Sequence, residues 1–559
     1  MFHRMPCCTL LAALVLALAA PAYGATAIDV QANNPQVAGD PTSNTTAVFP
    51  TNKQNEPTVA VNPLDPSLLI AGANDEQRQP PCGPGPVRGA DADSSDCSFF
   101  PNVGTSGIYT SSDGGSTWTN RGLLDDQASW IASPFVSDGD PVITYGPKPA
   151  PGPGFTYVNG ARAYYSTLAS YKDNAGPYPP GKAPEYLAVS YSDDNGATWS
   201  APVLATTKDN PNDFNDKEWI AVDADADSPY FGRVYVTYTE FRAAGQSEPI
   251  MAAYSADGGR TFTSPKQVTA AGNNGTLNGR QGSYVTTGPD GSVYVAFSQD
   301  LRIDVAISRD GGRRWLRPIA VGPENAIPDP LPGSNFRTNS FPTIAADPRD
   351  GSTRLYTSWA TDSPSGTRIV VSTSSDRGQS WSTPVPVSTA AEGDAFYQGM
   401  DVAPNGRVDI GYQAQIVIDR STYGTGNAAI NSWYVAKAPS ATGFNAPTKI
   451  TTASSDPAAS AQNNLVRQFY GDYNHLTSTN AHAWFIYTDT RNGVGCPAVD
   501  AYQHAVDGTP AIRGDMRDRI ATRLGRDPYA DDPLIKPAPP LVCPHDFGNS
   551  DAYVSVVTP

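Results

Sequence analysis

The stretch Ser111–Trp118, with the sequence SSDGGSTW, is the first of five related octets in this chain. The other four read SDDNGATW, SADGGRTF, SRDGGRRW and SSDRGQSW, at residues 192–199, 255–262, 308–315 and 374–381. Each octet follows a short alternating strand and precedes a polar strand that often contains proline. Aspartate accepts hydrogen bonds from the backbone of its own turn, and glycine adopts backbone angles that other residues resist. The octet therefore predicts a tight turn between two antiparallel strands, with its last aromatic ring packed beneath the hairpin.

The five octet aspartates are expected to stabilise their turns and to take no part in catalysis. They are Asp113, Asp194, Asp257, Asp310 and Asp376.

A second repeat of paired strands lies between the octets. PTVAVNP at 57–63 pairs with SLLIAGAN at 67–74, and six similar pairs follow, the last being GDYNHLTS with HAWFIYTD at 471–478 and 482–489. Seven pairs and five octet hairpins predict an all-β fold, a single seven-bladed β-propeller, with six blades as the alternative. Ring closure predicts that AIDV, at 27–30, supplies the outer strand of the last blade, beside DAYVSVV at 551–557.

The start of the chain predicts export. An apolar run at residues 10–20 is followed by the small residues of PAYGA, which is typical of a signal peptide over 1–24. We expect a secreted or periplasmic protein with an N-terminal segment at 25–50 and the propeller at 51–559. An insert at 497–545 falls in the last blade, with a helix predicted at 510–526. No later segment is apolar enough to span a membrane.

The net charge and the cysteines limit which binding partners and which metal ions are plausible. A formal net charge of -17 disfavours nucleic acid and anionic membranes. After loss of the leader, four cysteines remain, and the shortest loops pair Cys82 with Cys97 and Cys496 with Cys543. No C-x-x-C motif supports zinc. DADAD, at 223–227, could place three carboxylates around calcium, but a solvated turn is the alternative, and we predict no cofactor.

The octet pattern S-x-D-x-G-x-[TSR]-[WF] resembles the Asp-box, or BNR repeat, of β-propellers that include sialidases, xyloglucanases and non-enzymatic proteins. The resemblance covers roughly residues 50 to 555. It implies a sialidase-like secreted bacterial protein, and it is stronger for fold than for activity.

Polar side chains gather where the inner strands of such a ring begin and where the second strands end. Paired carboxylates, arginines and a tyrosine there would suit glycoside hydrolysis. The predicted catalytic residues are Asp75, Glu218, Asp489 and Tyr470. The predicted substrate-binding residues are Arg242, Arg280, Arg337, Arg491 and Asp472. The alternative is that these groups pair with one another, because buried strand ends need hydrogen-bond partners in any propeller.

One departure from sialidases concerns the substrate. Sialidases open their first blade with an arginine that holds the substrate carboxylate, whereas this chain has QNEP at 54–57, with Asn55 in that place. This departure weakens the case for sialic acid as the substrate. We expect a monomeric, sialidase-like propeller that hydrolyses a glycan at the upper opening of the ring, with a propeller that binds a glycan or protein without turnover as the alternative. His475 is a further candidate ligand or catalytic group, with a structural role as the alternative.

Overall fold

The computed structural model describes much of the chain after residue 24. The described residues are 25–35, 53–78, 103–172, 176, 184–206, 210, 213–242, 247–271, 279–339, 341–461, 465–507, 537, 542–544 and 546–559. The predicted leader, the pairing of Cys82 with Cys97 and the predicted helix at 510–526 lie outside these residues.

Seven four-stranded antiparallel sheets form a ring, so the predicted seven-bladed β-propeller is confirmed. Blade 1 consists of Gln54–Val61, Leu69–Asp75, Gly107–Ser111 and Thr119–Leu123. Blade 2 consists of Phe135–Pro149, Phe155–Tyr171, Tyr186–Ser192 and Val203–Leu204. Blade 3 consists of Phe214–Val222, Val234–Phe241, Ile250–Ser255 and Lys266–Gln267.

The next three blades repeat this order. Blade 4 consists of Arg280–Thr287, Val293–Gln299, Arg302–Ser308 and Ile319–Pro323. Blade 5 consists of Thr343–Ala346, Leu355–Thr361, Arg368–Ser374 and Val385–Pro386. Blade 6 consists of Asp394–Val402, Val408–Val417, Ala428–Lys437 and Thr448–Lys449.

Blade 7 joins the two ends of the chain. Its strands run His475–Ser478, Ala483–Asp489, Asp551–Thr558 and then Thr26–Gln31. The N-terminal strand pairs antiparallel with the C-terminal strand, with Val30 opposite Val554. The fourth strand of this blade is therefore contributed by the other end of the sequence.

The first strand of each blade is its inner strand, and neighbouring inner strands pack against one another around a central channel. Second strands such as Val234–Phe241 are buried at every residue. Because the blades stack face to face, both sides of these strands need apolar or aromatic side chains. We call the end of the channel where the inner strands begin the upper mouth, and the other end the lower mouth.

The octets close the hairpins between third and fourth strands. In the first octet, Gly115 N–H donates to Ser111 Oγ at 2.9 Å, and Thr117 N–H donates to Asp113 Oδ1 at 2.9 Å. The Thr117 hydroxyl also donates to Asp113 Oδ2 at 2.6 Å, and these bonds lower the pKa of Asp113. Equivalent backbone bonds recur in the other four octets.

All five octets are also hydrogen-bonded to the preceding blade. Trp484 Nε1 donates to the carbonyl of Gly114 at 2.8 Å, and Arg162 and Arg233 donate in the same way to Gly258 and Gly311. The hairpins therefore hold blades together as well as strands.

Few helices accompany the strands. The described α-helices are Ala128–Ile131 and Pro497–Asp507, and Leu124–Asp126 and Pro457–Ala459 form 3₁₀ turns. Pro497–Asp507 lies in the predicted insert of blade 7, although the sequence analysis did not single it out as helical. The predicted Cys496–Cys543 disulfide is confirmed in the same insert. No helix among the described residues is long and apolar enough to cross a membrane.

Candidate functional site

The inner strands share an irregularity near the upper mouth. Glu56, Asp140, Lys217 and Tyr397 each hold a left-handed backbone, with φ between 47° and 54°. Each lies at a shift of register between the first and second strands of its blade. Residues other than glycine are disfavoured in this region, and such strain gathers where a structure needs a side chain at one fixed position.

Glycine stands at the corresponding place in blade 4. Gly282 has φ +67°, and a Cβ there would lie 2.1 Å from the ring of Phe341. The ring of a neighbouring blade therefore occupies the space that a side chain would need, and this explains why blade 4 contributes no charged group at this level.

The strained residues bring charge to the axis of the ring. Lys217 Nζ lies 3.2 Å from Glu56 Oε1, 3.4 Å from Asp140 Oδ2 and 2.5 Å from Asp472 Oδ2. Arg337 Nη2 lies 2.6 Å from the same oxygen of Asp472. We call these five residues the lysine cluster. All five are buried, so their charges interact with little screening by water.

The neighbouring carboxylates keep Lys217 protonated. Burial by itself would lower the pKa of Lys217, but the charges of Asp140, Asp472 and Glu56 outweigh it and raise the pKa well above its usual range. Lys217 is therefore a permanent cation in this cluster.

Amide side chains tie the cluster to the strand ends. Asn74 Nδ2 donates to Glu56 Oε2 at 2.7 Å, while Asn74 Oδ1 accepts from the backbone N–H of Asp140 at 2.7 Å. Asn339 Nδ2 donates to Asp472 Oδ1 at 3.0 Å. These bonds join the upper ends of blades 1, 2, 5 and 7.

Glu218 lies beside the cluster in a different state. It is 2% exposed, and neither carboxyl oxygen has a hydrogen-bond partner in the part of the chain that the structure describes. Burial, and then the charge of Asp140, raise the pKa of Glu218 well above its usual range. Burial therefore favours the protonated form of Glu218, next to an ion-paired carboxylate.

Two cavities share the channel. The upper cavity, of about 30 Å³, is lined by Glu218, Lys217 and Asp472 among others. The lower cavity, of about 320 Å³, is lined by residues of all seven inner strands. Trp219 and Tyr284 line both cavities, and their rings stack with centroids 3.9 Å apart, so this pair forms the partition between them.

Three predicted catalytic residues do not line either of these cavities. Asp75 is fully buried, and its oxygens accept hydrogen bonds from Gln54, Gln77 and Tyr109 at 2.6–3.1 Å. Burial raises the pKa of Asp75 despite these bonds. The side chain therefore belongs to a hydrogen-bonded network of blade 1.

Asp489 ends the second strand of blade 7, and Tyr470 lies in the segment that leads into this blade. Asp489 accepts from Arg491 Nη2 at 2.7 Å, and Arg491 also binds Asp29 at 2.6 Å. The buried Tyr470 hydroxyl is 2.6 Å from Thr490 Oγ1, and burial raises the pKa of Tyr470 well above its usual range. Among the four predicted catalytic residues, Glu218 alone lines the upper cavity.

The predicted substrate-binding residues likewise fall into two groups, those in the lysine cluster and those in ion pairs or hydrogen bonds elsewhere. Arg337 and Asp472 belong to the lysine cluster, whereas Arg491 lies in the ion pairs of blade 7. Arg242 binds Glu240 at 2.5 Å, and Arg280 donates to Gln299 at 3.1 Å. The arginines thus do not converge on one point.

Sequence reasoning missed the centre of the site, which is Lys217. It lies next to Glu218 in NDKEW, a stretch in which only a carboxylate was predicted to act. The available signal was a polar residue at the same point of successive inner strands, as in NEP, GDP and DKE.

The stretch considered for calcium forms a hydrogen-bonded turn. Ser228 Oγ donates to Asp223 Oδ2 at 2.6 Å, and Asp227 N–H donates to Asp225 Oδ1 at 2.9 Å. Within the described ranges there is no group of three or more His, Cys, Asp or Glu side chains placed to hold a metal ion.

Comparison with known proteins gives weak likenesses. No protein-family model matches the sequence, and no curated protein matches it. Among solved structures, an α-L-arabinanase of Penicillium chrysogenum with arabinobiose has 11% identity and a TM-score of 0.41, covering 73% of this chain and 98% of that chain. The NanB sialidase of Streptococcus pneumoniae has 13% identity and a TM-score of 0.35, covering 75% and 80%.

The α-L-arabinofuranosidase ARB93A from Fusarium graminearum is a third example, with 15% identity and a TM-score of 0.38, covering 69% of this chain and 92% of that chain. At such identities and TM-scores these likenesses carry no argument about activity. The architecture seen in the chain itself makes it a seven-bladed β-propeller.

Proposed function

We propose that this protein is a glycan-binding propeller that recognises its ligand at the rim of the upper mouth and does not hydrolyse it. The observation that carries the proposal is the closed state of that mouth. The lysine cluster leaves an upper cavity of about 30 Å³. Such a space has room for about two water molecules at most and cannot admit a sugar ring.

The state of the predicted catalytic groups supports binding over turnover. A glycosidase needs one carboxyl group as acid and a second as base or nucleophile, roughly 5–10 Å apart across the substrate. Asp75 accepts four hydrogen bonds from three residues, and Asp489 is bound by Arg491. Groups committed in this way stabilise the ring and are not free to act on a substrate.

Partly exposed groups remain around the rim. The side chain of Arg302 is 48% exposed and binds Asp304 through two parallel hydrogen bonds of 2.8 and 2.9 Å. Phe341 and Tyr473 are partly exposed beside the upper cavity. Aromatic faces and guanidinium groups are suited to sugar rings and to their hydroxyl or carboxylate substituents.

A pair of matched variants tests the location. Arg302→Ala is expected to weaken binding to a glycan array about tenfold, because it removes an exposed guanidinium at the upper rim. The control is Arg349→Ala. Arg349 binds Asp347 in the same two-residue arrangement, with a side chain 42% exposed, but it lies in the turn at the lower mouth.

The experiment uses the chain from residue 25 onwards, with the array and a hydrolysis screen run side by side. We expect retention on the array, no released sugar, and no effect of Arg349→Ala. Equal losses in both variants would place the ligand elsewhere. Release of sugar by the wild type would contradict the absence of turnover.

Hydrolysis through Glu218 is the second candidate, favoured by one observation. A buried carboxyl group with a raised pKa beside the ion-paired carboxylate of Asp140 is the combination that acid–base catalysis uses. If the screen detects turnover, Glu218→Gln should abolish it and retain binding. Glu324→Gln, which changes another buried glutamate with a raised pKa of about 7, should leave the rate unchanged.

We further propose that the protein works outside the cytoplasm as a monomer. The Cys496–Cys543 disulfide supports the location outside the cytoplasm, since such bonds persist in oxidising compartments. Fractionation of the producing cell and sedimentation of the mature chain test both points. Recovery from the cytoplasm with free thiols, or a stable dimer, would contradict them.

A further inference from the structure

The lower cavity has no part in the proposed binding at the upper rim. Its volume of about 320 Å³ lies at the small end of the range for ligand pockets, roughly 300–1,000 Å³. Its closed end is the stacked pair of Trp219 and Tyr284, which separates it from the upper cavity. A ligand in this cavity would thus meet an aromatic surface at the end of the channel.

The walls present hydroxyl groups from three blades. Thr144, Thr286 and Thr477 line the cavity and are partly exposed, whereas neighbouring lining residues of the same strands, such as Ile143 and Val285, are buried. Across the described residues, no hydrogen bond joins these three hydroxyls to another protein group. They are therefore available to a ligand or to water.

His475 adds a donor to the wall. Its Nδ1 accepts from the backbone N–H of Val59 at 3.3 Å, so the neutral ring carries its hydrogen on Nε2. Burial lowers the pKa of His475 to about 4, which keeps the ring neutral at pH 7. The ring lies edge-to-face against Trp219, with centroids 5.2 Å apart.

The charge of the wall is neutral to negative. Asp401 lines the cavity and accepts backbone N–H groups from Val402 and Ser478, each at 2.8 Å. Burial raises the pKa of Asp401 to about 7. The described residues that line the cavity include no lysine or arginine, so none of them would attract an anion.

We propose that the lower cavity binds one neutral sugar or polyol, whose apolar face packs against the aromatic end wall formed by Trp219 and Tyr284 while its hydroxyls bond to Thr144, Thr286, Thr477 and His475. A pyranose has one apolar face and a rim of hydroxyls, which matches an aromatic end wall and hydroxyl-bearing side walls. An anionic sugar such as a sialic acid is excluded by Asp401 and by the lack of a cation. This second site is independent of the glycan site proposed at the upper rim.

Calorimetry and saturation-transfer NMR on the mature chain test the site, with D-glucose, D-galactose and myo-inositol as neutral probes and N-acetylneuraminate as the anionic probe. We expect millimolar binding of at least one neutral probe and none of the anionic probe. Ala221→Leu should abolish that binding, because residue 221 faces the cavity and the larger side chain would fill it.

Substitution of threonine by valine removes the hydroxyl group and keeps the shape of the side chain, so it gives a second test of the site. The double variant Thr286→Val with Thr477→Val should weaken binding by about tenfold or more. Thr448→Val is the matched control, because Thr448 is a partly exposed residue of the outer strand of blade 6. Melting temperatures confirm that each variant folds.

The outcomes separate this site from the upper rim. Arg302→Ala should leave the monosaccharide affinity unchanged even if it weakens binding to the array. The proposal is overturned if no neutral probe binds the wild type, if Ala221→Leu binds as well as the wild type, or if N-acetylneuraminate competes for the same site.

Discussion

At the residue scale, the lysine cluster explains why the chain tolerates strained backbone at its axis. A left-handed conformation costs a non-glycine residue about 1–3 kcal/mol. Glu56, Asp140 and Lys217 all adopt it, and their side chains then meet within 3.4 Å of one ammonium group. The ion pairs offset this backbone strain. The side chains that form them also close the upper mouth.

Removal of the central cation should therefore be costly. Lys217→Met leaves the carboxylates of Glu56, Asp140 and Asp472 facing one another in a buried site, and we expect a loss of about 3–5 kcal/mol in the free energy of unfolding. Lys148→Met is the control, since Lys148 lies at the surface 3.9 Å from Asp193 and should change stability by less than about 1 kcal/mol.

Urea titration at neutral and acid pH checks this prediction. Protonation of the carboxylates removes their mutual repulsion, so the deficit of Lys217→Met should shrink as the pH falls. Similar losses in the two lysine variants would show that the cluster is not a linked unit.

The partly exposed imidazole of His475 makes a separate prediction about pH. The pKa of His475 is lowered from 6.5 to about 4, so between these values the unfolded chain binds more protons than the folded chain. His475 therefore destabilises the fold progressively as the pH falls through this window, by at most about 3 kcal/mol.

Comparison of His475→Gln with the wild type isolates this effect from the many carboxylates that titrate nearby. Above the window, the difference in unfolding free energy reports lost packing and the lost bond from Val59. Below it, the variant should gain on the wild type. A difference that stays constant across the window would contradict the lowered pKa.

At the element scale, the octet is a self-contained hairpin clamp. Asp113 accepts from the backbone and the hydroxyl of Thr117 and from Ser111, all within its own turn. The fourth octet has arginine in place of the hydroxyl residue and keeps the backbone bond, from Arg314 to Asp310 at 2.9 Å. The backbone bond is thus the constant part of the clamp.

Loss of one clamp should affect stability without affecting binding. Asp113→Ala is expected to reduce the free energy of unfolding by about 1–2 kcal/mol, the range for losing a side chain that caps backbone N–H groups. Ser112→Ala, at the exposed neighbouring position, should change it little. Loss of glycan binding in a folded Asp113→Ala variant would contradict a purely structural role.

At the scale of the whole molecule, the ring is closed by polar contacts between its ends. Asn33 Nδ2 donates to Gln54 Oε1 and to Asp551 Oδ1, both at 2.8 Å, and Asn33 Oδ1 accepts from the backbone of Ala552 at 2.9 Å. One buried side chain therefore links the N-terminal strand, blade 1 and the C-terminal strand.

Asn33→Ala should weaken that closure. The variant leaves a carboxyl, an amide and a backbone N–H with fewer partners, so we expect a loss of about 2–3 kcal/mol. Hydrogen exchange should quicken in blades 1 and 7 before the other blades. Asn120→Ala, which removes one bond within a single hairpin, is the control, and equal effects would deny Asn33 a role in ring closure.

The elements of this protein were predictable from sequence because their signals are local. The residues that form each octet turn lie within eight positions of one another. A strand with alternating apolar and polar residues shows the same pattern at any place in the chain. The outer position of residues 27–30 followed from the geometry of a closed ring, which leaves one blade short of a strand. The helix Pro497–Asp507 was missed because it lies in an insert outside the repeat.

The site depended on contacts between distant parts of the chain. Glu56, Asp140, Lys217, Arg337 and Asp472 come from five blades, and their sequence separations say nothing about which carboxylate meets which cation. Sequence alone determined that this protein is a propeller of repeated hairpins, since a hairpin forms from neighbouring residues. Only the tertiary structure decided that the upper mouth is closed and the lower cavity open, because ion pairing and cavity shape are set by side chains that meet across the ring.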